Sequence, residues 1–184
     1  ELLFILSDGT KINATYGTNG TWWAVHTFDD YGVYQVNASY IGLDNVTVNN
    51  GTIAIVHNIF WILNYTINGN DNDTIVLDRD YTYNSTVDYD LKDGIVINRP
   101  VTIIGNGHVL NATGLARIFN IQADNVTIEN ITFANGKTEN SGGAIYWGGA
   151  NGNVSGCSFV NNYAQFGGAA IYWLRSADSV VSNC

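Results

Sequence analysis

The block Gly142-Gly143-Ala144-Ile145-Tyr146-Trp147 returns as Gly168-Ala169-Ala170-Ile171-Tyr172-Trp173, 26 residues further on and without a gap. The same offset carries Ile128 to Val154, Ile131 to Cys157 and Phe133 to Phe159. Weaker copies precede it: Val126-Thr127-Ile128 echoes Val101-Thr102-Ile103, and Phe119-Asn120-Ile121 echoes Ile95-Val96-Ile97. One more apolar strand, Ile75-Val76-Leu77, lies about one turn earlier. Each unit holds short alternating apolar strands separated by Asn, Gly and Ser turns, with no helical periodicity. Such a unit cannot close a core alone and is stabilised by stacking on its neighbours.

Stacking in parallel at roughly 4.8 Å per turn gives a β-helix with continuous inward columns. Ile75, Ile95, Phe119, Ile145 and Ile171 are expected to form one column. Leu77, Ile97, Ile121, Trp147 and Trp173 are expected to form a second, with Phe133 and Phe159 at another face. About five rungs are expected. An antiparallel sandwich would show turns about every 8 to 12 residues, without the sustained register. The first rung needs a lid, and Ile59, Ile62, Leu63, Thr66 and Ile67 fall at helical spacing just before it. The expected organisation is a sandwich remnant at 1–56, a capping helix and linker at 57–70 and the β-helix at 71–184.

Residues 1–56 alternate differently, as in Thr21 to His26 and Val33 to Ala38, with turn signals between. Asp30-Tyr31-Gly32-Val33-Tyr34-Gln35-Val36 resembles the tyrosine corner of immunoglobulin-like domains, with Val36 in the cysteine's place. Gly142-Gly143-Ala144-Ile145 followed by Phe159-Val160-Asn161-Asn162 resembles the GGA[I/L/V] and FxxN repeats of polymorphic outer-membrane proteins, with Cys157-Ser158 before the phenylalanine. Together these features resemble the adhesin-like surface proteins of methanogenic archaea. The resemblance implies an all-β fold: a right-handed parallel β-helix with a short N-terminal capping helix, preceded by part of an immunoglobulin-like β-sandwich. It also implies a non-catalytic, extracellular rod at the cell surface, whose partner is a surface protein or glycan of another cell or of matrix. The second repeat departs with Gly168-Ala169-Ala170-Ile171, and Phe133-Ala134-Asn135-Gly136 lacks the final Asn.

Charge narrows the partners. The chain of 184 residues carries 7 Lys+Arg against 16 Asp+Glu, a net charge of -9. With no basic cluster it cannot neutralise a phosphate backbone, so no nucleic-acid partner is expected. No apolar run of about 18 residues is present, so this segment is not expected to span a membrane. The lack of an initiator Met and of an export leader suggests an excerpt of a larger protein, with further repeats or an artificial truncation expected at Cys184. Asn-x-Ser/Thr sequons at Asn13, Asn19, Asn37, Asn45, Asn50, Asn64, Asn72, Asn84, Asn111, Asn125, Asn130 and Asn153 fit an exported glycoprotein. Turns between β-strands favour Asn and Thr too, so part of that count needs no sugar to explain it.

The serious enzymatic alternative is a polysaccharide lyase or glycoside hydrolase. Glycoside hydrolysis needs two carboxylates roughly 5 to 9.5 Å apart across the bond. The register instead places Asp124 at Ala150, Glu129 at Ser155, Glu139 at Gln165 and Asp178 at Gly152, and it gives Lys137, Arg117 and Arg175 no acidic cluster. Asp71-Asn72-Asp73 with Asp78 and Asp80 lacks calcium-loop spacing and reads as a solvated turn. His108 reads as a satisfied side chain in a glycine-rich bend. Cys157 and Cys184, 27 apart, read as small stacked residues with a disulfide left open. No catalytic residue, metal or cofactor is expected. Strand alternation turns Tyr146 and Tyr172 outward, one above the other, as a candidate ligand-binding pair or a stabilising same-face pair.

Overall fold

The computed structural model describes residues 2–6, 9–16, 22–24, 26, 32–40, 51–55, 58–69, 71–174 and 177–184, with 2, 22, 32–40 and 51–55 described by backbone alone. The chain divides into two compact units, Glu1–His57 and Asn58–Cys184.

In the first unit, the strand Leu2–Leu6 lies between Lys11–Asn13 and Gly32–Tyr40, and Gly51–Ile55 pairs beyond, all antiparallel. Thr15–Tyr16 and Trp22–Trp23 form a separate antiparallel pair. The corner residues Asp30 and Tyr31, and the side chain of Tyr34, lie outside the described residues.

The second unit is a parallel β-solenoid of about four turns rather than five. Three strands recur from turn to turn and build three faces, and Lys137–Thr138 pairs in parallel with Tyr163–Ala164 as a short further strand in the later turns. Face A stacks Thr74–Val76, Val101–Ile104, Val126–Glu129, Asn153–Ser155 and Val180–Ser182. Face B stacks Tyr81–Thr82, Val109–Asn111, Thr132–Ala134 and Ser158–Val160. Face C stacks Ile95–Ile97, Phe119–Ile121, Ile145–Trp147 and Ile171–Trp173.

Pleating sends alternate side chains inward, and the repeat makes them meet their equivalents. On face C two inward columns run Ile95, Phe119, Ile145, Ile171 and Ile97, Ile121, Trp147, Trp173. Ile75 does not join the first column as expected. It pairs with Ile103 on face A, above Ile128 and Val154. Leu77 likewise follows the face A strand, its N–H bonding Ile104 O at 2.8 Å. The pattern apolar-x-apolar is common to all faces, so it marks a strand without saying which face the strand occupies. Phe133 and Phe159 stack at 5.1 Å on face B, where Leu110 and Tyr81 extend the column.

The repeated motifs have physical reasons. Gly142 adopts φ +78°, a region costly for residues with a Cβ. A Cβ on Gly143 would run into the carbonyl oxygens of Ala169 and Tyr163, so only glycine lets the next rung approach. Asn162, the last residue of FxxN, clamps the preceding rung: its Oδ1 accepts from Gly136 N at 2.7 Å and its Nδ2 donates to Phe133 O at 3.0 Å. Asn106, Asn125, Asn130, Asn135, Asn151 and Asn161 take left-handed corner positions, which short amide side chains tolerate. The corner Asn151 also donates to Asn125 Oδ1 at 3.1 Å, and Asn135 to Asn111 Oδ1 at 3.0 Å. A corner Asn leading into a Val-Thr or Ile-Thr strand spells a sequon, as at Asn125 and Asn130.

The helix Phe60–Asn68 closes the first turn, burying Phe60, Leu63 and Ile67. Its own preceding residue, Ile59, offers no side-chain cap. Asp88, 28 residues away, supplies one: its carboxylate accepts from Phe60 N at 3.2 Å and Trp61 N at 2.8 Å, and from Asn84 N at 2.7 Å. No helix among the described residues is long and apolar enough to cross a membrane.

Candidate functional site

The outward side of face C carries Val96, Asn120, Tyr146 and Tyr172 in one ladder. The Tyr146 and Tyr172 rings stack with centroids 5.7 Å apart and planes 25° from parallel. Both are half-buried, so each ring keeps part of its surface in solvent. They line one wall of an open cleft of about 420 Å³, whose other walls include Arg117, Asn120, Asn140, Ser141 and Leu174.

Arg117 lines this cleft and is only 6% exposed. Nε donates to Gly142 O at 2.9 Å, Nη1 to Asp93 O at 2.8 Å, and Nη2 to Ser141 O at 3.0 Å and Thr138 Oγ1 at 3.2 Å. The guanidinium also sits over the Tyr146 ring, 5.5 Å from its centroid, in cation–π geometry. Burial lowers its pKa, and the charge of Asp93 and the nearby Tyr146 oppose that shift. The residue therefore ties three turns together while staying charged. Asn120 Oδ1 is buried and, among the described residues, accepts from no protein donor.

A second cleft of about 270 Å³ is lined by Lys92, Asp93, Leu115, Lys137, Glu139 and Asn140, with Gly114 and Thr138. Asn140 lines both clefts, so the two adjoin at that residue beside face C. The register expectation gave Lys137 and Arg117 no acidic cluster, and the cleft that Lys137 lines holds two single acids, Asp93 and Lys137's own sequence neighbour Glu139. Arg175 lies outside the described residues.

Within the register the acids do face non-acidic partners. Ala150 N donates to Asp124 Oδ1 at 2.7 Å, and Glu129 pairs with Ser155. Ser179, rather than Asp178, comes to Gly152, because one extra residue enters the last turn. Asp78 holds Arg79 through two contacts of 2.6 and 2.9 Å, and Arg79 draws its carboxyl below the usual range. Asp80 accepts from Val109 N at 2.9 Å and meets His108 Nδ1 at 3.0 Å, and the Val109 N–H followed by His108 lowers its pKa. Asp78 and Asp80 thus serve a side-chain pair and a rung-to-rung contact. No cluster of three or more His, Cys, Asp or Glu among the described residues could hold a metal.

Cys157 and Cys184 are free thiols. Cys157 is buried as expected, whereas Cys184 is exposed. Of the sequons, Asn13, Asn72, Asn125 and Asn130 are exposed and Asn64, Asn84, Asn111 and Asn153 half-buried. Asn19, Asn45, Asn50 and the side chain of Asn37 lie outside the described residues.

No family model matches the chain, and neither the curated proteins nor the solved structures give a match. Fold and site together define a parallel β-solenoid with adjoining aromatic and charged clefts beside one face.

Proposed function

We propose that the chain is a non-catalytic part of an extracellular, cell-surface adhesin-like protein, of the kind found in methanogenic archaea. In this reading a right-handed β-helix follows an immunoglobulin-like module. It acts as a stiff rod that presents its turns to another cell, a glycan or matrix. The carrying observation is the unbroken register, in which each rung's strands and corner amides bond to the next. A ladder of this kind resists bending and repeats its outward side chains at fixed spacing. The structural employment of Asp78, Asp80, Asp88 and Asp124 also favours a rod over a carboxylate enzyme. Exposed sequons such as Asn72 and Asn125 are candidate glycan sites under the same reading.

A second reading, a polysaccharide lyase or glycoside hydrolase, draws on Asp93 and Glu139 sharing one cleft with two lysines. One pair of assays separates the two. On the display reading, labelled protein binds cells, glycans or matrix components on an array and releases no reducing ends or unsaturated products from cell-wall polysaccharides. Release that is lost in Asp93→Asn or Glu139→Gln would establish the enzyme instead.

A further inference from the structure

Three of the chain's seven Lys+Arg residues line the two adjoining clefts, together called the groove: Lys92 and Lys137 in one, and the buried Arg117 in the other. Asp93 and Glu139 balance the two lysines in their cleft, and Arg117 leaves the groove positive by one in a chain of net charge -9. The described hydrogen bonds of the buried Arg117 all end on neutral oxygens, so no carboxylate bonds it directly. Beside this charge lie the stacked faces of Tyr146 and Tyr172, and one rung before Tyr146 lies Asn120, whose Oδ1 accepts from no donor among the described residues.

Building on the display reading above, we infer that the groove binds an acidic saccharide. One sugar ring stacks on the Tyr146 and Tyr172 shelf, and a carboxylate on a neighbouring residue of the glycan reaches toward Lys92 and Lys137. Rigid aromatic rings give contact area at low entropic cost. Lysine and arginine donors attract a carboxylate, and a concave site focuses their field. A neutral glycan would leave the lysine end unused. A long nucleic-acid phosphate backbone would extend beyond the groove onto an acidic surface.

The test uses trigalacturonic acid and its methyl ester, titrated calorimetrically into the intact chain. At low salt the acid should bind about tenfold more tightly than the ester, a gap that high salt closes. Lys137 is exposed, so Lys137→Gln should fold normally, remove that gap and leave the ester's affinity nearly unchanged. Tyr172→Ala should weaken both ligands about tenfold. Equal binding of acid and ester, or a gap that survives Lys92→Gln and Lys137→Gln, would overturn the inference. If neither ligand binds but labelled protein still attaches to cells or to another arrayed glycan, the inference falls and the display reading stands. Absence of attachment to any cell, glycan or matrix component would remove both.

Discussion

Trp173 lies over Trp147 one turn along the solenoid, their ring centroids 4.7 Å apart and their planes tilted by 33°. The pair fills the inward corner of face C, and Gly152 closes the space at the ring edges. A Cβ there would stand 2.6 Å from Trp147 Cζ2 and 2.8 Å from Trp173 Cζ2, with both rings packed in the stack. Gly152→Ala should therefore destabilise the solenoid by about 1–3 kcal/mol through overpacking, measured by urea denaturation. An unchanged midpoint would mean that the tryptophans are not stacked against this turn.

Asp88 holds the capping helix from a distant turn. It is 1% exposed, and its carboxylate serves three backbone N–H groups. Asp88→Ala should leave those donors without a partner and cost about 3 kcal/mol. The exposed neighbour Asp90 is the control, and its alanine variant should change stability by less than about 0.5 kcal/mol. Thermal unfolding of both variants separates a specific cap from a general charge effect.

Asp80 and Asp78 link stability to acid pH. Both have carboxyl pKa values lowered in the folded state, Asp80 chiefly by Val109 N–H and Asp78 chiefly by Arg79. A lowered folded value means that the stabilising contribution is present above the unfolded carboxylate value of about 3.9. It is lost as the pH falls from there through the folded value. Asp80→Asn should accordingly be less stable than the parent protein at pH 6, and the difference should shrink steadily on acidification below about pH 4. Denaturation midpoints measured across that range provide the check.

The two thiols should react at different rates. Burial pushes the Cys157 pKa up to about 11, whereas Cys184 is exposed. At pH 8 an aromatic disulfide reagent should modify Cys184 rapidly and Cys157 only when the chain opens, because the thiolate is the reactive form. The raised Cys157 value also makes its buried neutral thiol a stabilising feature below the unfolded thiol value of about 8.5. That contribution is lost as the pH climbs from there through about 11. Equal modification rates in the folded protein would contradict the burial of Cys157.

The rungs were legible where turn length was constant. Ile145 and Ile171, Trp147 and Trp173, and Phe133 and Phe159 sit in strict repeat, and the structure pairs them as the spacing predicts. Legibility failed at Ile75 and Leu77, because the first turn carries the longer connections around Asn84 to Asp93 and lacks the GGA motif. The outward pairing of Tyr146 and Tyr172 followed from strand alternation alone. The rest of the groove did not, since Arg117 is anchored by carbonyl oxygens that carry no residue signature. Glu139 lies two residues from Lys137, whereas Asp93, 44 residues before Lys137, reaches the same cleft only through the fold. Asp80 beside His108 was hidden because their separation of 28 residues exceeds the 26-residue offset.

The most direct test of the stacked register is a nuclear Overhauser map of backbone protons on the isotope-labelled chain. It should show contacts between Ile145 and Ile171, and between Phe119 and Ile145, in the slanted pattern of parallel strands. Cross-peaks that instead join these segments antiparallel, or that leave Ile145 and Ile171 out of contact, would contradict both the solenoid and the groove built on it.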